Sequence, residues 1–389
     1  MGGLQDGLLE VSHRIHERPE IRFEEEFASA LLCDVLTEQG FSVTRGIGGL
    51  PTAFVAAGPP RARSQGPSIA IFCEYDALEG LGHGCGHNII ASAGLGASLA
   101  VNDWLQDHPD VGGTLTVIGS PGEEGGGGKV FLIDAGCLEG IDAAMMIHPS
   151  GKDRAARGSL SRVALDMTFE GRAAHASGKP YEGINALDAA NLTMVAIGFL
   201  RQQIRPDSRV HGIIVDGGQA PNIIPERASL RFYVRSPEAE YLRSRLVPAV
   251  ENCAKGAALA TGARLDIAAG GPTYENMINN EVLVRLAEAN LRALGRPTDP
   301  SEDGLGGSTD MGNVSHVVPS IHPYIKVTPG LAMHTREAAE AAIGPEGDRV
   351  VIDGAVLLAA TAAELFSDPS LVQAAASSFR SPRSGARSS

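Results

Sequence analysis

Cysteine is scarce in this chain of 389 residues: there are five, Cys33, Cys73, Cys85, Cys137 and Cys253. An odd, scattered set excludes a disulfide framework and fits a reducing compartment, where thiols stay available as metal ligands or nucleophiles. Positive charge is also in deficit. Lys and Arg number 32 against 46 Asp and Glu, a formal net charge of −14. With no basic stripe interleaved with aromatics, nucleic acid is not an expected partner. No apolar run reaches the length that spans a bilayer, so no membrane association is expected. The opening residues, MGGLQDGLLEVSHRIHERPE, lack a basic stretch followed by an apolar one and do not form a secretory signal. The expected location is the cytoplasm. No internal repeat is present.

What is present suits a soluble globular protein of two domains: apolar residues are 43% and charged residues 20%, and the length exceeds that of a typical single domain. The stretch from Leu8 to Gly40 reads as helix interrupted at Pro19. Three apolar runs follow, Ile69–Cys73, Leu115–Ile118 and Ala143–Ile147, separated by helical stretches at Ile89–Leu105 and Lys129–Ala135. Apolar strands alternating with helices predict an α/β domain with a mostly parallel sheet covered on both faces. From Leu160 to Ala269 the rhythm changes to β-α-β-β-α-β, the ferredoxin-like arrangement, as a separate small domain inserted into the first. The expected limits are 1–158 and 272–372 for the first domain and 159–271 for the insert. The Ser-, Ala- and Arg-rich tail, 373–389, is expected to be disordered.

The chemistry-bearing residues sit where these strands end. In open α/β sheets, ligands bind beyond the carboxyl ends of the strands. Ile69–Cys73 runs into Glu74-Tyr75-Asp76, Leu115–Ile118 into GSPGEEGGGGK, and Ala143–Ile147 into His148. The loop GLGHGCGHN, 80–88, adds His83, Cys85 and His87. Thiolate with imidazole suits zinc or a similar metal. Cys85 and His87 are two apart and point the same way from an extended loop, so they are the candidate ligands, with His83 behind them. In the Glu123-Glu124 pair, one carboxylate suits a metal ligand and its neighbour a general base. His148 and His334 are further candidate ligands. Asp76 and Asp310 suit supporting roles, since an aspartate behind a ligating histidine orients it. His175 and Asn222 stand beside tight turns in the insert, and Arg235 ends a strand where it suits a substrate carboxylate. Taken singly, each has a plainer reading: a glycine-rich turn, a solvated acidic pair, a core histidine, a surface arginine.

The segments EYDALEGLGHGCGHN, GSPGEEGGGGK, IHPS, GRAAHAS, APNIIPERASLRFYVR and GGSTDMGNVS, in this order, resemble the M20 metallopeptidase family. The resemblance covers nearly the whole chain. It is nearest the amidohydrolase branch, with its aminobenzoyl-glutamate hydrolases and M20 domain-containing protein 2-like members. The resemblance implies a zinc-exopeptidase-type catalytic domain with two divalent metals, zinc or manganese, and a lid domain that mediates homodimerisation. By resemblance, Cys85 bridges the metals, His87, Glu124, His148 and His334 complete the shell, and Glu123 is the general base. His175 would reach into the partner subunit's site to polarise the scissile carbonyl, and Asn222 and Arg235 would contact substrate. Where the family's peptidases carry His-x-Asp, this chain has Glu74-Tyr75-Asp76, so the shell expected here is of the Cys-His type. The expected activity is hydrolysis of the amide of an N-acyl amino acid, an aroyl-glutamate or a dipeptide. Two alternatives are a thiol hydrolase with Cys85 as nucleophile and His87 as base, and a non-catalytic metal-binding protein of the same fold.

Overall fold

The computed structural model describes residues 2–59, 65–301 and 306–380. In chain order the strands are β1 (Ser42–Arg45), β2 (Phe54–Ala57), β3 (Ser68–Glu74), β4 (Thr114–Ser120), β5 (Ala143–Met145) and β6 (His148–Ser150). They continue with β7 (Ser161–Glu170), β8 (Arg209–Asp216), β9 (Arg227–Ser236), β10 (Arg264–Ala269), β11 (Ser320–Ile321) and β12 (Tyr324–Lys326). The chain divides into two compact units. The second comprises Ser159–Asn276 with the described residues 306–309, and the first holds the rest.

The first unit is built on a mixed sheet of order β1-β2-β4-β3-β5-β11. Strands β4, β3, β5 and β11 run parallel, and β2 and β1 add antiparallel pairings at one edge. Ile69 through Glu74 of the central strand are all buried, as a parallel strand covered on both faces requires. Helix His87–Asp107 lies close on it. A Cβ at Gly94 would stand 2.7 Å from Cys73 Sγ and 2.8 Å from the Phe72 carbonyl oxygen, so only glycine allows this approach. Helix Pro345–Ser367 has the length and composition of a bilayer-crossing helix, and 56% of its apolar window is buried inside the protein.

Several elements differ from the sequence reading. The first helical stretch is two helices, Gly2–Glu17 and Glu26–Glu38. The break extends beyond Pro19 because the Glu20 carboxylate accepts from the amides of Phe27 and Ala28 (2.9 and 3.0 Å) and the Glu25 carboxylate from that of Phe23 (2.8 Å). The single strand expected over Ala143–Ile147 ends at Met145. His148 opens a separate short strand, β6, which pairs in parallel with β12. The strand near Ser320–Val327 is split in the same way at His322-Pro323. Pro323, in the second gap, lacks an N–H for a continuous ladder. The tail expected to be disordered from 373 onward is helical to Arg380. Helix Pro369–Arg380 buries Val372 and Ala375, and 381–389 lie outside the described residues.

The second unit runs β7, helix Ala186–Leu200, β8, β9, helix Val247–Thr261, β10. Its sheet is antiparallel, of order β10-β7-β9-β8. Leu165, Met167 and Phe169 alternate along β7, as Ala228, Leu230, Phe232 and Val234 do along β9, and all join one buried cluster with the helices. Residues 272–276, expected in the first domain, stay with this unit because Arg162 and Tyr274 exchange both backbone hydrogen bonds (2.8 and 3.0 Å).

Candidate metal centre

The site of the first unit is assembled at the carboxyl ends of its parallel strands. Gly86 adopts a left-handed φ of 70° and precedes helix His87–Asp107. This turn places Cys85 just outside the helix and His87 as its first residue. A Cβ at Gly86 would meet Pro149 Cγ at 2.6 Å, so the loop closes directly onto the segment that carries His148. Sγ of Cys85 lies 3.5 Å from Nε2 of His148. The His148 Nδ1 donates to the Pro149 carbonyl at 2.6 Å, which leaves Nε2 facing the thiol.

Asp76, two residues beyond β3, organises two donors at once. Its Oδ1 is 2.9 Å from Nδ1 of His87, and its Oδ2 accepts the Glu124 amide at 2.9 Å. The first bond orients the His87 ring through Nδ1 and aims Nε2 into the site, the usual device behind a ligating histidine. The second pins the GSPGEE loop. Burial alone would lower the His87 pKa, but Asp76 and Cys85 hold it well above the ordinary value. His334 arrives from the end of the chain with a φ of 65°, rare for a residue with a side chain. Its amide donates to the Gly84 carbonyl at 2.8 Å, and its Nε2 stands 3.2 Å from Glu124 Oε1.

Among the described residues three overlapping sets of donor atoms result, Cys85/His87/His148, Cys85/Glu124/His334 and Glu74/His87/Glu123, each with its atoms within 4.8 Å of one another. Cys85 is common to the first two. The residues fit divalent cations on an observation independent of any likeness: His87 Nε2 and Glu74 Oε2 are buried polar atoms with no hydrogen-bond partner. Such atoms are costly to bury unless something satisfies them.

The two adjacent glutamates are driven apart. Burial, then Glu74, Glu124 and Asp310, push the Glu123 carboxyl well above its ordinary pKa. Burial would do the same to Glu124, but His334 and His87 hold it below the ordinary value. A pair of acids separated in this way suits one proton carrier and one permanent anion.

Three residues stand in this region that the sequence did not single out. Lys129 is fully buried, its ammonium donating to Glu74 and, at 2.7 Å, to Asp310, whose other oxygen accepts the Lys129 amide at 3.0 Å. Burial would lower its pKa, but Asp310 and Glu74 raise it. Asp310, expected in a supporting role, holds this lysine. His322 is 1% exposed with neither ring nitrogen hydrogen-bonded, and its ring is 5.5 Å from that of His148. The signal for it is a repeat, Ile147-His148-Pro149 and Ile321-His322-Pro323. Glu74 was visible only as part of its strand-end run.

His83 does not support the ligands as expected. Its Nε2 donates to the Ile15 carbonyl at 3.2 Å, its Nδ1 is buried without a partner, and its ring lies 5.8 Å from that of His16. Burial drives its pKa to about 3, so it is a neutral group anchoring the first helix. His175, Asn222 and Arg235 lie in the second unit. His175 is exposed, and its Nδ1 accepts the Gly178 amide at 3.1 Å. The Asn222 carbonyl accepts the Ala176 amide at 3.0 Å, and Arg235 Nη1 donates to Ser308 Oγ at 3.2 Å.

Comparison with known proteins places this arrangement. Xaa-Arg dipeptidases of Mus musculus and Homo sapiens are 38% and 37% identical over 95% of this chain and 88% of their own length. One of the subunits of p-aminobenzoyl-glutamate hydrolase from Escherichia coli is 36% identical over 65% of this chain and 55% of that protein. Among solved structures, a dinuclear metal binding peptidase of the M20 family from Bacillus subtilis superposes with a TM-score of 0.64 at 21% identity, covering 92% of this chain and 98% of that one. An aminobenzoyl-glutamate utilization protein from Klebsiella pneumoniae gives 0.69 at 18% identity, covering 91% and 96%. These two show likeness of fold. Residues 71–364 match the model of peptidase family M20/M25/M40, and with the identity to the dipeptidases over nearly the full length, the chain belongs to that family of amide-bond hydrolases.

Proposed function

We propose that this protein is a two-metal amidohydrolase that cleaves an N-acyl amino acid, an aroyl-glutamate or a dipeptide-like substrate. The observation that carries the reading is the pair of donor sets sharing Cys85, with Glu123 beside them. Cys85, His87, Glu124, His148 and His334 would hold two divalent cations, zinc by donor chemistry, with manganese as the second choice. Bound there, the cations would supply Lewis acidity to the attacking water and to the scissile carbonyl. Glu123 takes the proton from the attacking water and delivers it to the leaving amine nitrogen, a task suited to a carboxylate whose pKa is raised. Asp76 holds His87 and the Glu124 backbone in place for the whole reaction.

The second unit is read as a ferredoxin-like lid and dimerisation domain. Its β-α-β-β-α-β order and four-stranded antiparallel sheet support this. Homodimerisation is supported by exposed Leu192, Val195 and Phe199, spaced along one side of helix Ala186–Leu200, and by Ile213, Ile214 and Val215 on β8, an edge strand. In such a dimer His175 would polarise the substrate carbonyl in the partner subunit's site, while Asn222 and Arg235 hold the substrate. Five cysteines free of disulfides support a cytoplasmic location.

One observation favours the thiol hydrolase. His87, beside Cys85, has in Asp76 the orienting third group that such a mechanism needs. Against it, burial and the nearby Glu124 raise the Cys85 pKa well above the ordinary value, the reverse of an activated thiol. The experiment is metal analysis of the purified protein with a hydrolysis screen of N-acyl amino acids and dipeptides before and after chelation. Loss of turnover on chelation and its return with metal support the two-metal reading. Turnover that survives chelation and disappears on alkylation of Cys85 supports the thiol reading.

A further inference from the structure

The geometry points to a paired-guanidinium seat in the second unit, Arg162 with Arg235, that selects substrates whose amine component is an acidic amino acid. This inference rests on the reading above, in which Arg235 holds the substrate's carboxylate.

Arg162 of β7 and Arg235 of β9 are register partners. Directly opposed residues project from the same face of a sheet, here the face turned away from Leu165, Phe232 and the helices. Arg162 is 4% exposed, with its guanidinium carbon 3.9 Å from the Tyr274 ring centre and 4.8 Å from that of Tyr233. Arg235 is half-buried and lies 5.6 Å from the same Tyr233 ring. Both therefore border one aromatic side chain.

Their hydrogen bonds go to neutral groups. Arg162 Nη2 donates to the Pro272 carbonyl at 3.4 Å and Arg235 Nη1 to Ser308 Oγ at 3.2 Å, while both Nε atoms are buried without a partner. Among the described residues no carboxylate lies within the 4.0 Å ion-pair distance of either. The contrast is on the same strand pair. Arg231 faces Asp166 and is held by it in a two-pronged bond of 2.7 and 2.9 Å. So the strands neutralise one arginine and leave two others, both beside Tyr233, without a counter-ion among the described residues.

Burying like charges side by side is unfavourable unless something compensates. Tyr233 and Tyr274 offset part of this through their ring faces. An anion at Arg235 would offset more, because a guanidinium fork matches a carboxylate and the second charge behind it deepens the potential. One α-carboxylate balances one arginine. The pair matches an amine component with two carboxylates, a glutamate or an aspartate, and repels a cationic side chain.

The test uses the metal-loaded full chain and three amides with a common acyl group: N-benzoyl-glutamate, N-benzoyl-glutamine and N-benzoyl-arginine. The expected kcat/KM for the glutamate compound is at least about tenfold above the glutamine compound, with arginine lowest. Arg162→Gln lowers the glutamate-to-glutamine ratio by about tenfold and Arg162→Lys, which keeps the charge, preserves it. A wild-type ratio near one, or an unchanged ratio in Arg162→Gln, overturns the seat and leaves the amidohydrolase standing. If no amide is cleaved, the amidohydrolase fails, and the seat is judged by calorimetric titration of folded wild type and Arg162→Gln with glutamate and glutamine. Glutamate binding that exceeds glutamine binding and is lost in Arg162→Gln supports it. Equal or absent binding overturns it.

Discussion

Asp76 and His87 meet at 2.9 Å through Oδ1 and Nδ1, both fully buried, while the other oxygen of the same carboxylate holds the amide of Glu124. One side chain at the end of the central strand thus sets the direction of donors from a helix and from a loop. Asp76→Asn keeps the shape but replaces a charged acceptor, so it is expected to lower metal affinity roughly 10–100-fold. Competition with a chromogenic chelator measures this. Unchanged affinity would show that His87 is oriented by packing alone.

Glu123→Gln removes the proton carrier and keeps the donors. Metal content is expected to stay at the wild-type level while kcat falls by about 10²–10⁴. Elemental analysis and steady-state kinetics on one preparation check both. A loaded variant with wild-type turnover would take the base role from Glu123.

Lys129→Met leaves Glu74 and Asp310 buried against each other with no cation between them. The expected loss of stability is about 3–5 kcal/mol, typical of breaking a buried charge pair. Adding Glu74→Gln should recover part of it. Urea unfolding of the single and double variants measures the coupling, and equal midpoints for wild type and Lys129→Met would contradict it.

Glu25 gives a stability dependence on pH. Its Oε1 accepts the amides of Phe23 and Gly122, both at 2.8 Å, and its Oε2 the Thr52 hydroxyl at 2.9 Å. Burial, then Asp76, nonetheless raises its pKa to about 7 from 4.5. A carboxyl with a raised folded pKa binds its proton more tightly when folded. Its contribution is therefore fully favourable below 4.5 and is lost as pH rises to about 7. Glu25→Gln should remove this dependence and make the protein more stable at pH 8, by up to about 3 kcal/mol. Chemical denaturation between pH 4.5 and 8 would show parallel curves for the two proteins if Glu25 titrates normally.

Phe199→Asp tests the proposed dimer. Phe199 is 74% exposed on helix Ala186–Leu200, and a charge there opposes burial against a second copy. Sedimentation velocity should show a dimer for wild type and a monomer for the variant. A monomeric wild type would remove the dimer and, with it, the role of His175 in a partner's site.

Much of the first unit was legible because its signals are local. Apolar runs marked the parallel strands, and a glycine-rich loop carrying a thiol and an imidazole marked the donors at their ends. The breaks at His148 and His322 were less so. Each stretch reads as one strand, and only the pairing of β6 with β12 shows that the chain changes partner there. His83 had the same spacing argument as Cys85 and His87, yet it bonds Ile15. Spacing states which way a side chain starts from the backbone and not which neighbour it finds.

By itself, then, the sequence determined the kinds of elements, their order and the chemical types of the donors, because periodicity and residue chemistry belong to short stretches of chain. The tertiary structure alone decided that Asp76 serves two donors, that Lys129 stands between Glu74 and Asp310, and that Arg162 faces Arg235. These relationships join residues from 11 to 181 positions apart in the chain. They depend on strand register and on which side chains are left to neutralise one another once water is excluded, and neither is written in any single segment.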